Sequence, residues 1–169
     1  MIFLTIGTHE PFERLVRAVD NWCAQTGHAN EVFGQITARG AASYEPQNFK
    51  WIDRLTPKEY AAQFSNADLI VSHAGMGSII TALHSGKPIV VMPRRGHLRE
   101  TRNDHQYDTI KKLESRNGIY VAEDENSLGS IMDQALEAMS NTQSVAVSQY
   151  ADHQFTDALR EFFMGRNTK

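Results

Sequence analysis

The sequence predicts an α/β domain on a mostly parallel sheet, and three observations carry that expectation. Short apolar runs rich in β-branched residues alternate with longer amphipathic segments. Gly, Pro, Ser and Thr punctuate the breaks between them. The spacing suits right-handed βαβ crossovers, which set neighbouring strands parallel and cover both faces of the sheet.

Taken in order, residues 2–6 read as a buried strand that ends at Gly7-Thr8. Pro11 fits the first turn of a helix in which Phe12, Leu15, Val16, Val19, Trp22 and Cys23 recur at helical spacing. Residues 31–37 and 49–52 are weaker strands, parted by a loop with Gly40, Ser43 and Pro46. Thr56 looks like an N-cap with Pro57 at the first helical position, opening a helix to about residue 65. Residues 68–72 form a strand, 73–78 a glycine-bearing turn, and 79–84 a helix closed by Gly86. A strand over 88–92 stops at Pro93. The stretch 94–104 is polar, arginine-rich and aperiodic, so it reads as a long loop. A helix over 106–116, Gly118 and a short strand over 119–122 follow, then helices over 126–139 and 148–163. No repeat, low-complexity tract or linker divides the chain, so one Rossmann-like domain is expected over 1–169.

Lys and Arg number 17 against 20 Asp and Glu, and the formal charge of −3 argues against a general nucleic-acid or membrane-surface binder. The single Cys23 has no partner for an internal disulfide, and no cysteine set exists for a structural zinc. The apolar start is too short for a signal peptide, and no stretch approaches the ~20 apolar residues of a membrane span. A reducing, cytoplasmic setting is expected.

In such folds ligands sit at the carboxyl ends of the strands. Three turns qualify: 7–11, 72–78 and 93–106. The middle one, Ser72-His73-Ala74-Gly75-Met76-Gly77-Ser78, joins a strand to a helix through two glycines. Glycine lets a ligand approach the backbone closely, and a helix N-terminus presents free N–H groups and a partial positive charge. A phosphate or diphosphate suits that place. Spacing alone fits equally a tight turn that needs glycine for backbone reasons. Neither G-x-G-x-x-G nor a P-loop is present, which disfavours dinucleotide and P-loop nucleotide binding.

From His73 the chain reads H-A-G-M-G-S-I-I-T-A-L-H-S-G-K-P, then I-V-V-M-P, and later N-D-H-Q ending at Gln106. This ordered set resembles the donor-binding half of two-lobed, GT-B glycosyltransferases. It is most similar to the C-terminal domain of glycosyltransferase family 28, and within it to half-size catalytic subunits. Such subunits serve dolichol-linked N-acetylglucosamine transfer and bacterial exopolysaccharide assembly. The opening I-F-L-T-I-G-T-H-E-P-F is similar too, so the resemblance covers roughly residues 1–122.

The resemblance implies that His73, Ala74, Gly75, Met76, Gly77 and Ser78 contact a donor diphosphate and hold the charge that builds on the leaving nucleotide. Gln106, with His105 beside it, would contact hydroxyls of the donor sugar. Thr8 corresponds to the short loop near the phosphates. Thr81 stands where many relatives carry an acidic residue for the ribose hydroxyls, and one hydroxyl replaces two carboxylate oxygens. The implied reaction is an inverting hexosyl transfer from a UDP-sugar to a polyprenol-diphosphate-linked saccharide, without metal or cofactor. A membrane-anchored partner would supply the acceptor lobe, since full-length relatives carry the catalytic base in an N-terminal domain.

Arg94, Arg95, Arg99 and Arg102 crowd one loop. Arg94 and Arg95 follow a strand end and suit phosphate oxygens, whereas Arg99 and Arg102 read as solvated surface. His97, Asp104 and His105 lack the spacing of a metal site. His9 is the base candidate of the first loop, though an ordinary loop histidine reads as well. Cys23 and Trp22 read as core. Over 148–163, Ala151, Phe155, Ala158, Leu159 and Phe162 make one apolar face that either covers the domain's own sheet or anchors a partner. Two rivals stand beside the transferase: a non-catalytic sugar-nucleotide sensor or scaffold, and a sugar-nucleotide epimerase.

Overall fold

A computed structural model describes residues 1–8, 10–37, 44–102, 105–113 and 116–141. The helix expected over 148–163, the base candidate His9, and Asn103 and Asp104 of the N-D-H-Q motif lie outside the described residues. Among the described residues six strands form one parallel sheet: β1 (Ile2–Thr5), β2 (Val32–Gln35), β3 (Lys50–Ile52), β4 (Leu69–His73), β5 (Ile89–Met92) and β6 (Ile119–Val121). Their order is β3-β2-β1-β4-β5-β6. The helices are α1 (Glu13–Thr26), α2 (Pro57–Asn66), α3 (Met76–His84), α4 (His105–Leu113) and α5 (Leu128–Asn141).

Strand periodicity sorts the core into two layers. Ile2, Leu4, Leu69, Val71, Val90 and Met92 pack with Leu15, Val16 and Val19 of α1 and Leu128, Met132 and Ala135 of α5. Phe3, Ile70, Ile89 and Val91 face the other way, against Phe64 of α2, Ile79 and Ala82 of α3, and Ile110 and Leu113 of α4. Both faces are therefore covered, and the strands read as continuous apolar runs for that reason. At one edge lies β3, three residues long, with Lys50 and Ile52 exposed.

Boundaries moved in three informative places. Helix α1 opens with Phe12 as N-cap, so Pro11 lies just outside it instead of in its first turn. Helix α3 starts at Met76, because Gly77 and Ser78 adopt helical geometry; the turn proper is only Ala74-Gly75. The aperiodic stretch after β5 contains one 3-10 turn, Gly96–Leu98, followed by Arg99 in the left-handed region at φ 58°. The Thr56 cap is present as a full capping box with Glu59. Among the described residues no helix is long and apolar enough to cross a membrane.

Asp20 on α1 is 2% exposed and accepts hydrogen bonds from the Tyr44 hydroxyl and from the N–H groups of Gln47 and Asn48. It fastens the segment entering β3 to the helix. Cys23 lies buried nearby, and burial together with the Asp20 charge pushes its thiol up to about 12. Replacing Asp20 by Ala strands two main-chain donors, so Asp20→Ala is expected to lower stability by about 2–4 kcal/mol, with Asp20→Asn recovering part of it. Urea unfolding of the two variants checks this; equal stability of wild type and Asp20→Ala would remove the fastening role.

Candidate functional site

Strand β1 pairs with β2 on one side and β4 on the other. From β1 the chain leaves toward α1 on one face, and from β4 toward α3 on the opposite face. That divergence is a topological switch point, where a crevice opens at the carboxyl ends of the strands. Gly7 and Thr8 stand on one lip of it, and His73 with Ala74 and Gly75 on the other.

Gly7 has φ +79°, a conformation that favours glycine. Gly75 needs no special φ, at −87°, and caps α3 with no side-chain hydrogen bond. Its own N–H donates to His73 O at 2.7 Å. The N–H groups of Met76, Gly77 and Ser78 begin the helix and have no intrahelical acceptor. The contrast with α2 is chemical: Thr56 and Glu59 close that N-terminus, while α3 leaves its donors to the crevice. The Thr81 hydroxyl donates to Gly77 O at 2.8 Å, so Thr81, an exposed residue, offers only acceptor capacity outward.

The His73 ring fills the gap between the two lips. A Cβ on Gly75 would stand 2.3 Å from its Nε2, and one on Gly7 would stand 3.3 Å from its Cε1. Burial pushes the imidazole down to about 4, the Arg94 cation pushes the same way, and a hydrogen bond with the Thr5 main chain opposes both. At neutral pH the ring is uncharged. Its single N–H is spent on the Thr5 main chain, so the field for an anion comes from the positive end of α3.

Arg94, read from the sequence as suited to phosphate oxygens, has its guanidinium engaged with carbonyls. Its guanidinium is buried and donates to the carbonyls of Ile6 (2.9 Å), Glu10 (2.7 Å), Pro11 (2.6 Å) and Glu100 (3.2 Å). It also lies 4.6 Å from the centre of the Phe12 ring. Its fork is directed into the loop after β1, since carbonyls there converge on the end of β5. The main-chain N–H of Arg94 donates to Gln106 Oε1 at 3.0 Å. Gln106 is thereby held by its amide oxygen, and its NH2 has no hydrogen-bond acceptor among the described residues. His105 opens α4 beside it.

Residues 1–162 match the glycosyltransferase family 28 C-terminal domain. The chain belongs to that family. It is 29% identical over 124 residues to the UDP-N-acetylglucosamine transferase subunit ALG13 of Mus musculus, covering 70% of this chain and 10% of the relative. The subunit of the same name from Yarrowia lipolytica is 28% identical over 147 residues, covering 78% of this chain and 69% of the relative. A Rickettsia canadensis UDP-N-acetylglucosamine–N-acetylmuramyl-(pentapeptide) pyrophosphoryl-undecaprenol N-acetylglucosamine transferase is 34% identical over 83 residues, 48% of this chain and 22% of that protein. The chain thus spans about a tenth of the mouse relative and about a fifth of the rickettsial one. The NMR structure of ALG13 superposes with a TM-score of 0.55 at 22% identity, over 94% of this chain and 93% of that one. The glycotransferase of kitacinnamycin gives 0.56 at 19% identity, over 96% and 39%. The six-stranded parallel sheet is the Rossmann-like lobe of this glycosyltransferase class.

In this family 28 domain the next arginine of that loop pairs on the far side of β5. The Arg95 guanidinium donates to Glu123 O at 3.1 Å, beyond β6, and its N–H to the Glu100 carboxylate at 2.9 Å. Glu100 also receives the Arg14 fork at 2.8 and 2.9 Å, and Arg14 reaches Glu125 at 2.8 Å. These pairs bolt the loop after β5 to α1. Arg99 and Arg102 are exposed, as read from the sequence. Beside the crevice a cleft of about 770 Å³ runs over the ends of β1 and β2, lined by Thr5, Gly7, Thr8, Gln35, Leu55 and Tyr60. Thr5 Oγ1 is buried there with no hydrogen-bond partner among the described residues. Among those residues no group of three or more His, Cys, Asp or Glu side chains converges as a metal site would require. Sequence reasoning missed two things: the Gly7–His73–Gly75 sandwich and the inward turn of Arg94. The available signal was a glycine two residues past each of two strands.

Proposed function

We propose that this chain is the donor-binding half of an inverting glycosyltransferase that takes UDP-N-acetylglucosamine as donor and a polyprenol-diphosphate-linked saccharide as acceptor. The observation that carries it is the uncapped start of α3 facing Gly7 and Thr8 across the switch point. The choice of uridine and N-acetylglucosamine is supported by the names of three relatives.

As the bond from the anomeric carbon to the diphosphate oxygen breaks, negative charge collects on the leaving UDP. The N–H groups of Met76, Gly77 and Ser78 would receive it, with no metal needed. The Gln106 NH2 would bind a sugar hydroxyl and fix the anomeric carbon for attack from the opposite face. The acceptor hydroxyl loses its proton to a base outside the described residues. A partner subunit at the inner face of a membrane would bring that base and the lipid-linked acceptor. A non-catalytic sensor is the second reading, favoured by Thr81 in place of a carboxylate.

Isothermal titration with UDP, GDP and UDP-N-acetylglucosamine tests the donor site. Binding of UDP in clear preference to GDP is expected. Gln106→Ala should weaken UDP-N-acetylglucosamine about tenfold and UDP less than twofold, because an uncharged amide serves hydroxyls better than phosphate. No binding of either uridine ligand by the wild type would overturn the reading, and equal losses in Gln106→Ala would overturn the sugar role. Membranes co-expressing a partner decide between transferase and sensor by transfer of labelled sugar.

A further inference from the structure

We propose that Arg94 is the positioning residue of this site: its side chain sets the loop after β1, its main chain sets Gln106, and so one residue holds the two ends of the donor in register. The inference rests on the donor reading above and adds a part that reading does not need.

The geometry is specific. Four carbonyls from two loops, those of Ile6, Glu10, Pro11 and Glu100, converge on one guanidinium at 2.6–3.2 Å. Only a planar fork with several donors satisfies such a set; an ammonium has three donors and no fixed plane. Ile6, Glu10 and Pro11 bracket Gly7 and Thr8, which form the phosphate lip. The N–H of Arg94 itself meets Gln106 at 3.0 Å, on the sugar side. Moving Arg94 therefore moves the Gly7–Thr8 lip relative to Gln106. The same buried cation acts on the His73 imidazole and helps to keep it neutral. The charged groups around that pair are Glu10 and Glu100, which act on Arg94 and partly offset its burial.

Charge and fork come apart by mutation. Arg94→Lys keeps the cation and loses the fork; Arg94→Met loses both. Three measurements follow: 15N–1H spectra of the unliganded chain, NMR titration of His73, and isothermal titration with UDP and UDP-N-acetylglucosamine. Both variants are expected to shift the Gly7 and Thr8 amides and the Gln106 NH2 pair together. Both should reduce the preference for the sugar nucleotide over UDP about fivefold or more. Only Arg94→Met should raise the His73 titration toward its ordinary value and give UDP affinity a dependence on pH between 4 and 6.5. If Arg94→Met does not fold, the Lys variant still decides by the spectra and the ligand ratio. Unchanged Gln106 and loop signals with an unchanged ratio in a folded variant would overturn the proposal. Failure of the wild type to bind either ligand would overturn the donor reading instead, while the unliganded spectra still show whether Arg94 sets both the Gly7–Thr8 loop and Gln106.

Discussion

A Gly75→Leu chain is expected to fold and to bind UDP at least 100-fold more weakly than wild type, a change of about 3 kcal/mol. The backbone permits the substitution, since φ at Gly75 is −87°. The space does not. A Cβ would lie 2.3, 2.9 and 3.1 Å from Nε2, Cδ2 and Cε1 of His73, closer than any real contact at the first two. The ring has Gly7 on its other side, so it must leave the gap and close the crevice. Circular dichroism checks the fold and calorimetric titration the affinity. Undiminished UDP binding by a folded Gly75→Leu chain would move the diphosphate away from this turn.

Stability is expected to fall by about 2–3 kcal/mol between pH 6.5 and pH 4 through His73 alone. In the folded chain this imidazole is pushed down from 6.5 to about 4. The unfolded chain therefore binds the extra proton throughout that window, and stability rises with pH across it. The contribution is complete above 6.5 and lost progressively as the pH drops to 4. One proton held across one pH unit is worth about 1.36 kcal/mol, which sets the scale. Carboxylates titrate in the same range, so the comparison is with His73→Gln, which keeps a polar group of similar reach without the titration. Urea unfolding at several pH values should show wild type and His73→Gln converging as the pH falls. Parallel profiles would mean the ring is as easily protonated folded as unfolded.

The layers of the fold were legible because the central strands bury both faces and the helices one. The capping box was legible because Thr56, Pro57 and Glu59 act on their own helix, within one turn. The turn after β4 was legible for the same reason: strand, glycine and helix follow one another directly. The packing of Arg94 was not legible because three of its four carbonyl partners lie 83 to 88 residues away, and nothing local distinguishes an arginine that binds phosphate from one that binds carbonyls. Gly75 was read as room for a ligand or as a tight turn, and neither reading foresaw the side chain of His73, two residues back and folded over it. Asp20 drew no notice at all. An acidic residue within an amphipathic helix reads as surface until the segment entering β3 is seen to close over it.

The outermost strand bears on how the chain behaves when no partner is present. An unpaired strand edge is a template on which a second chain can add its own strand, the usual first step of uncontrolled stacking. Here β3 offers three residues, and Lys50 stands at its head with an exposed side chain. Three residues provide too short a ladder for a lasting cross-chain pairing, and an ammonium group opposite its own copy repels it. The edge is thus guarded against copies of itself, and neighbouring molecules gain little by lining up along it.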